Sequence, residues 1–168
     1  MAEHNSTQYA KQVAGRPASP PDAGGDMQML RFHFKAPAGG VAVSDLINFG
    51  TIKPGMRFNP ADARVHWEAG TATADLNLGH KGFSNIDDDG VVADIAADAD
   101  EFLVAADLGS ANITGSAMVN ARKGGIYVSD RKADLKTKSD GLFLQGQVLT
   151  AGMPAGQEIV VEIPVYAA

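Results

Sequence analysis

The sequence contains no cysteine, so disulfide bonds and thiolate metal sites are both excluded. Its four histidines are scattered along the chain, and most transition-metal sites are therefore not expected. No window approaches the roughly 18 apolar residues that a membrane-spanning helix needs. The first residues lack the apolar core of a signal peptide. These absences predict a soluble protein that is not secreted through a signal peptide and does not enter a membrane.

Basic residues are in deficit as well. The chain has 14 Lys and Arg against 20 Asp and Glu, a formal charge of −6 and a pI near 5.0. Nucleic-acid binders present a basic surface, so this class of protein is not expected. The charges are also segregated, because residues 87–107 contain no Lys or Arg and residues 122–138 are mainly basic. These segments could contact each other within or between subunits, or be two solvated loops.

Recognisable catalytic motifs are missing too. There is no GxSxG nucleophile turn, and the glycine-rich segments lack the lysine of a phosphate-binding loop. His33 and His66 lie on the polar faces of predicted strands, where we expect exposed side chains instead of general bases. His80 follows Gly79 at a strand end and is the histidine kept as a candidate ligand contact. The excess of carboxylates leaves a jelly-roll hydrolase as one alternative.

Aromatic residues make up only 7% of the chain. Trp67, Tyr127 and Tyr166 could form a sugar-stacking platform, as aromatic residues do in carbohydrate-binding modules. At this low aromatic content we interpret all three as residues of the hydrophobic core.

What the sequence has in abundance is alternation of apolar and polar residues. From Thr71 to Gly79 the residues Ala72, Ala74, Leu76 and Leu78 share one face, which predicts a half-buried β-strand. The same pattern is found in residues 27–35 and 64–67. In residues 157–166 the apolar face is β-branched and Pro164 lies on the other face, which predicts a sheet edge or bulge there.

The rest of the chain completes an all-β pattern. Lys53-Pro54-Gly55 predicts a tight turn. Apolar residues at helical spacing within residues 91–110 predict one short helix. Further strands are predicted at residues 41–49, 56–58, 112–119, 125–129, 131–137 and 141–150. We therefore expect an all-β, mainly antiparallel β-sandwich or jelly roll with one short helical insertion.

Two parts of the chain differ in character. Residues 1–27 are polar and end in GRPASPPDAGGD, which is typical of an extended arm. We expect the arm to be either a disordered tail or a segment that becomes ordered on a neighbouring subunit. Residues 28–168 form the β-sandwich domain.

One segment resembles a calcium-binding loop. Asn85, Asp87, Asp89 and Gly90 match the opening half of an EF-hand loop. The match fails at position twelve, where Ala96 stands in place of a bidentate glutamate. A capped, solvated turn is the alternative interpretation. The sequence thus gives a calcium candidate at Asn85, Asp87 and Asp89, and no cofactor is expected.

Five segments together carry a family resemblance. They are residues 32–40 (FHFKAPAGG), 52–55 (IKPG), 76–79 (LNLG), 98–103 (DADEFL) and 155–159 (AGQEI). In pattern they resemble the small head proteins of tailed bacteriophages, the decoration or cement proteins of the capsid surface. The resemblance covers about residues 28–168.

The resemblance implies a non-enzymatic virion protein with a β-sandwich or jelly-roll fold. Such a protein, made in the bacterial cytoplasm, would bind the outer surface of the head and stabilise the coat lattice by bridging neighbouring subunits. Its partners would be the major capsid protein and its own copies, with a trimer favoured. The alternative is a recognition module of a phage tail or fibre, which binds carbohydrate or a receptor with possible help from calcium.

Overall fold

The computed structural model describes residues 1–6, 27–71, 73–86, 91–118, 126–129 and 140–167. Within them a single short 3-10 helix, Pro60–Asp62, accompanies thirteen strands. No helix in this part of the chain has the length and apolar character needed to cross a membrane. The strands are β1 (Glu3–Asn5), β2 (Met27–Lys35), β3 (Leu46–Ile52), β4 (Met56–Phe58), β5 (Arg64–Trp67), β6 (Asp75–His80), β7 (Phe83–Ile86), β8 (Val92–Ile95), β9 (Asp98–Asp107), β10 (Asn112–Ala117), β11 (Ile126–Tyr127), β12 (Leu142–Leu149) and β13 (Glu158–Ala167).

The strands form two large sheets and one small one. Sheet I has the order β1-β3-β12-β6-β9. Sheet II has the order β10-β5-β13-β4-β11, and β2 pairs with the opposite edge of β13. The third sheet is the pair β7-β8. All pairings are antiparallel except β1 with β3. The predicted all-β, mainly antiparallel fold is therefore confirmed.

Sheets I and II pack face to face around one apolar core. Phe34 of sheet II meets Phe49 of sheet I with ring centroids 6.4 Å apart and planes at 72°. Phe58 of sheet II meets Phe102 of sheet I in a similar edge-to-face contact at 6.2 Å. All four rings are buried. These contacts join the sheets at two points, as expected for a β-sandwich.

Strand β13 lies inside sheet II, and this corrects the expectation for Pro164. Residues 159–162 of β13 pair with β5, and residues 165–167 pair with β4. The carbonyl oxygen of Glu158 accepts a hydrogen bond from Glu68 N–H, so it faces the edge of β13 that pairs with β5 and β4. Every second residue of a strand directs its backbone groups to the same edge, and the backbone nitrogen of Pro164 therefore faces this edge too. Pro164 falls in the gap between β5 and β4. The missing N–H is tolerated there because no strand stands opposite it.

The helix predicted within residues 91–110 is wrong. This stretch forms β8, which pairs with β7, and β9, which pairs with β6. The β9 register shifts twice, Ala105 has a φ of 44°, and Glu101, Phe102 and Leu103 are buried in succession. Bulges of this kind break the two-residue alternation. The resulting spacing of apolar residues imitates that of a helix.

Several expectations concern residues that the structure does not describe. The strand predicted at residues 131–137, most of the basic segment 122–138, and residues 7–26 of the arm lie outside the described ranges. The start of the arm is described. Its strand β1 pairs with β3 of the same chain, and Ser6 is buried. In the acidic segment, a side-chain hydrogen bond with Asp98 raises the pKa of Asp100.

We expect Phe49→Ala to lower the free energy of unfolding by about 3–5 kcal/mol, because it removes a fully buried ring and leaves a cavity between the sheets. Urea denaturation measures this loss. Val104→Ala is the control, since Val104 is 66% exposed and should change stability by no more than about 0.5 kcal/mol. Equal, small effects of both substitutions would show that the sheets do not pack through Phe49.

Candidate interaction surface

Strand alternation gives sheet II an outer face opposite the core. In β2, Phe32 and Phe34 are buried and point inward. Met27, Met29 and every second residue after them therefore point outward. In β13 the inward-pointing residues are also buried, and the residues that alternate with them point outward; the buried ones are Ile159, Val161, Ile163 and Val165. The outer face therefore combines side chains from strands that are far apart in the sequence.

One end of this face carries exposed apolar and aromatic side chains. We call Met27, Met29, Arg57, Tyr127 and Tyr166 the methionine–tyrosine patch. Tyr166 is the register partner of Met27 on one side and of Arg57 on the other, and Arg57 is opposite Tyr127. Met27, Met29 and Tyr166 are 58%, 53% and 39% exposed. Met, Tyr and Arg are enriched at the cores of protein interfaces.

The guanidinium of Arg57 lies over the ring of Tyr127, with Cζ 5.9 Å from the ring centroid. This cation–π contact orients both side chains along the sheet surface. The patch therefore presents large side chains across one end of sheet II, from β2 through β13 and β4 to β11.

The other end of the same face is a network of ion pairs. Glu158 contacts Lys35 Nζ at 2.9 Å and His33 Nε2 at 3.0 Å. Lys35, and after it His33, hold the pKa of Glu158 below its ordinary value. Glu158 in turn raises the pKa of Lys35. A second carboxylate, Glu162, contacts Arg31 at 3.4 Å and His66 at 3.3 Å.

These contacts give His33 and His66 a place in the sheet. Both are half-buried, and each is paired with a carboxylate on β13. His66 Nδ1 also lies 3.2 Å from the carbonyl oxygen of Ile113. They are thus less exposed than the sequence predicted, and both act in ion pairs on the sheet surface.

His80, the candidate ligand contact, has its side chain in the core. Gly82 N–H donates to Nδ1 at 3.0 Å, so the neutral ring carries its proton on Nε2, which donates to Glu101. The two side chains are 0% and 2% exposed. Phe83 and Phe102 pack around the imidazole. The buried contact between the two side chains braces β6 against β9.

A cavity of about 380 Å³ opens beside this part of sheet I. Its lining includes His80, Leu46, Lys81 and Gln145, and none of the lining residues is Asp or Glu. A jelly-roll hydrolase requires convergent carboxylates in a pocket, and this cavity does not supply them.

The calcium candidate is only partly visible. Asn85 lies in β7, where its Oδ1 accepts from Tyr127 N–H at 3.0 Å. Asp87 and Asp89 lie outside the described residues. In the part of the chain that is described, no group of three or more His, Asp or Glu side chains is placed to hold a metal ion.

Of the three aromatic residues considered for sugar stacking, Trp67 lies in the core, whereas Tyr127 and Tyr166 share the outer face of sheet II. Trp67 is buried, and its Nε1–H donates to the carbonyls of Asp107 and Ser110 at 3.0 and 2.9 Å. This confirms the core interpretation for Trp67. The interpretation is wrong for Tyr127 and Tyr166, which lie on the outer face of sheet II. The sequence signal for the patch was Met27 and Met29 at polar positions of β2.

Two solved structures are similar to this chain in fold. No protein-family model and no curated protein matches the chain. A chain in the solved capsid of Ralstonia phage GP4 has a TM-score of 0.56 at 16% sequence identity, and the match covers 99% of both chains. A chain of the cyanophage Pam1 capsid asymmetric unit has a TM-score of 0.52 at 12% identity, covering 91% of this chain and 94% of that one. The fold is therefore shared over nearly the whole chain.

We expect His80→Ala to lower the free energy of unfolding by about 3–5 kcal/mol, because it leaves the buried Glu101 carboxylate without its imidazole partner. Chemical denaturation measures the loss. His33→Ala is the matched control: its ion pair with Glu158 lies at the surface, and we expect a change of at most about 1 kcal/mol. If the two variants were equally stable, His80 would have no structural role.

A second prediction concerns the ion-pair network. Lys35→Met should raise the pKa of Glu158 toward its ordinary value of 4.5, because Lys35 is the main cause of the lowered value. Folding lowers this pKa, so the stabilisation from Glu158 is present above its unfolded pKa and is lost as the pH falls through the folded value. Carboxyl ¹³C NMR titration measures the shift.

Arg31→Met is the control for this titration, because Arg31 contacts Glu162 and not Glu158. It should leave the titration midpoint of Glu158 unchanged. A midpoint that moves equally in both variants would indicate a general effect of surface charge.

Proposed function

We propose that this chain is a non-enzymatic structural protein of a phage virion, a decoration (cement) protein that binds the outer surface of the head. The observation that carries the proposal is the match in fold to two phage capsid chains, at 99% coverage of both chains in one case. Fold alone does not determine function, so the surface must supply the rest of the argument.

The outer face of sheet II is suited to binding a protein lattice. The methionine–tyrosine patch offers large exposed side chains of the kinds that dominate binding energy. The ion pairs beside it provide charged groups that set orientation more than affinity. In the proposed function this face contacts the coat and bridges neighbouring capsid subunits.

The charge of the chain agrees with a position outside the shell. A formal charge of −6 repels the anionic genome, and it keeps the free protein soluble before assembly. We propose a symmetric oligomer, with a trimer favoured, in which residues 1–27 extend the contact to an adjacent subunit.

The first test is the copy number of the chain in purified particles from its source, measured by quantitative mass spectrometry against the major coat protein. We expect hundreds of copies per particle. A handful of copies would instead indicate a tail or fibre module, and the absence of the chain from the particles would overturn the virion role.

The second test examines the contact face. We expect Met29→Asp to weaken binding to coat shells that lack this protein by at least about 30-fold, as for a central interface residue. Met29 is 53% exposed, so the fold should survive. Co-sedimentation with shells across a range of concentrations measures the affinity.

Val104→Asp is the matched control. It adds the same charge at a side chain that is 66% exposed on β9 of sheet I, and we expect unchanged binding. Equal binding of both variants would exclude the outer face of sheet II as the coat contact. A wild-type protein that does not bind shells would contradict the decoration role itself.

A further inference from the structure

Strand β1 is attached to the sandwich in an unusual way. It is the parallel strand at the edge of sheet I, in register with β3 from Glu3 opposite Leu46 to Asn5 opposite Asn48. Parallel neighbours cannot be joined by a tight hairpin turn. The order of the chain therefore does not place β1 on β3, and the attachment must come from the contacts themselves.

Those contacts are specific and polar. Ala2 N donates to Asp45 Oδ1 at 2.7 Å, and His4 Nε2 lies 3.0 Å from Asp45 Oδ2. Asn48 Nδ2 contacts Glu3 Oε2 at 3.0 Å and Asn5 Oδ1 at 3.1 Å. The backbone adds a hydrogen bond at each end of β1. Leu46 N–H donates to Ala2 O, and Ser6 N–H donates to Asn48 O. We call Asp45, Leu46 and Asn48 the β1 seat.

Apolar burial contributes little to this attachment. Glu3, His4 and Asn5 are polar side chains, and Met1 is 82% exposed. When β1 leaves its seat, the side chains that it withdraws are polar ones that water can solvate. The seat therefore defines where β1 binds and in which register mainly through hydrogen bonds.

The connection is long enough to reach another molecule. Residues 7–26, rich in Gly, Pro and Ala, join β1 in sheet I to β2 in sheet II. A fully extended chain of this length spans roughly 70 Å. A compact domain of this size is roughly 40 Å across. The covalent link thus permits β1 to reach the seat of an adjacent copy.

We propose that β1 exchanges between copies of this chain, so that β1 of one copy occupies the β1 seat of its neighbour. The hydrogen bonds are the same in both arrangements, so the choice depends on concentration. A linker of this length gives an effective concentration of about the millimolar range, and exchange competes when copies reach that range or are held side by side. Exchange in both directions between two copies closes a dimer, and exchange repeated in one direction closes a ring when the rotation between copies closes. The exchange requires no coat protein and is tested on the isolated protein.

The absence of native cysteine allows a direct experiment. Asn5→Cys with Asn48→Cys places two thiols at register partners whose side chains now contact each other. The purified full-length variant is prepared in ¹⁴N and ¹⁵N forms, mixed, refolded together and oxidised. At about 1 mM protein we expect disulfide-linked oligomers with mixed-label peptide pairs, and at about 10 μM at least a fivefold smaller share.

Two further variants make the result decisive. Glu3→Cys with Leu46→Cys tests the same register two residues away, in case replacing the buried Asn48 disturbs the fold. Asn77→Cys with Gln147→Cys joins β6 to β12 within the sandwich and should form disulfides only within one chain. Purely intrachain disulfides in both β1 pairs at about 1 mM, or none while the control pair forms its bond, would overturn the exchange.

Discussion

The two-sided pairing of β13 is the constraint on which the rest of the structure depends. Its residues pair with β2 along one edge and with β5 and β4 along the other. A slip of one residue in this register would send Ile159, Val161 and the other core residues of β13 to the outside. The register that buries the core therefore also sets the order of side chains on the outer face, from Lys35 in the ion-pair network to Met27 in the methionine–tyrosine patch.

Sheet I meets the same core with a less regular strand. The bulges in β9 bring both Glu101 and Phe102 inside, which a strand with strict alternation could not do. Phe102 then packs against Phe58 of sheet II, and Glu101 Oε2 accepts a hydrogen bond from His80 Nε2–H. The irregularity thus explains why a polar pair lies beside an aromatic contact in the core, and why the side chain of His80 is buried.

The sequence predicted those features that depend on local alternation. The bounds of β2 and the buried face of β13 follow directly from apolar residues at every second position. The helix expected over β8 and β9 failed because the bulges space apolar residues as a helix does. The methionine–tyrosine patch was not predicted, since alternation shows that Met27 faces outward but not that Tyr166, Arg57 and Tyr127 stand beside it. That neighbourhood depends on strand pairing over long separations in sequence.

The two proposed contact regions differ in chemistry, and the difference suits successive steps of assembly. The patch exposes methionine and tyrosine side chains, so burying it would contribute affinity. The β1 seat is polar, so its hydrogen bonds fix register and contribute specificity. A polar strand can leave one seat and enter another at little cost, whereas a buried patch resists separation. In the proposed function, exchange of β1 would rearrange neighbouring copies that the patch holds on a common surface.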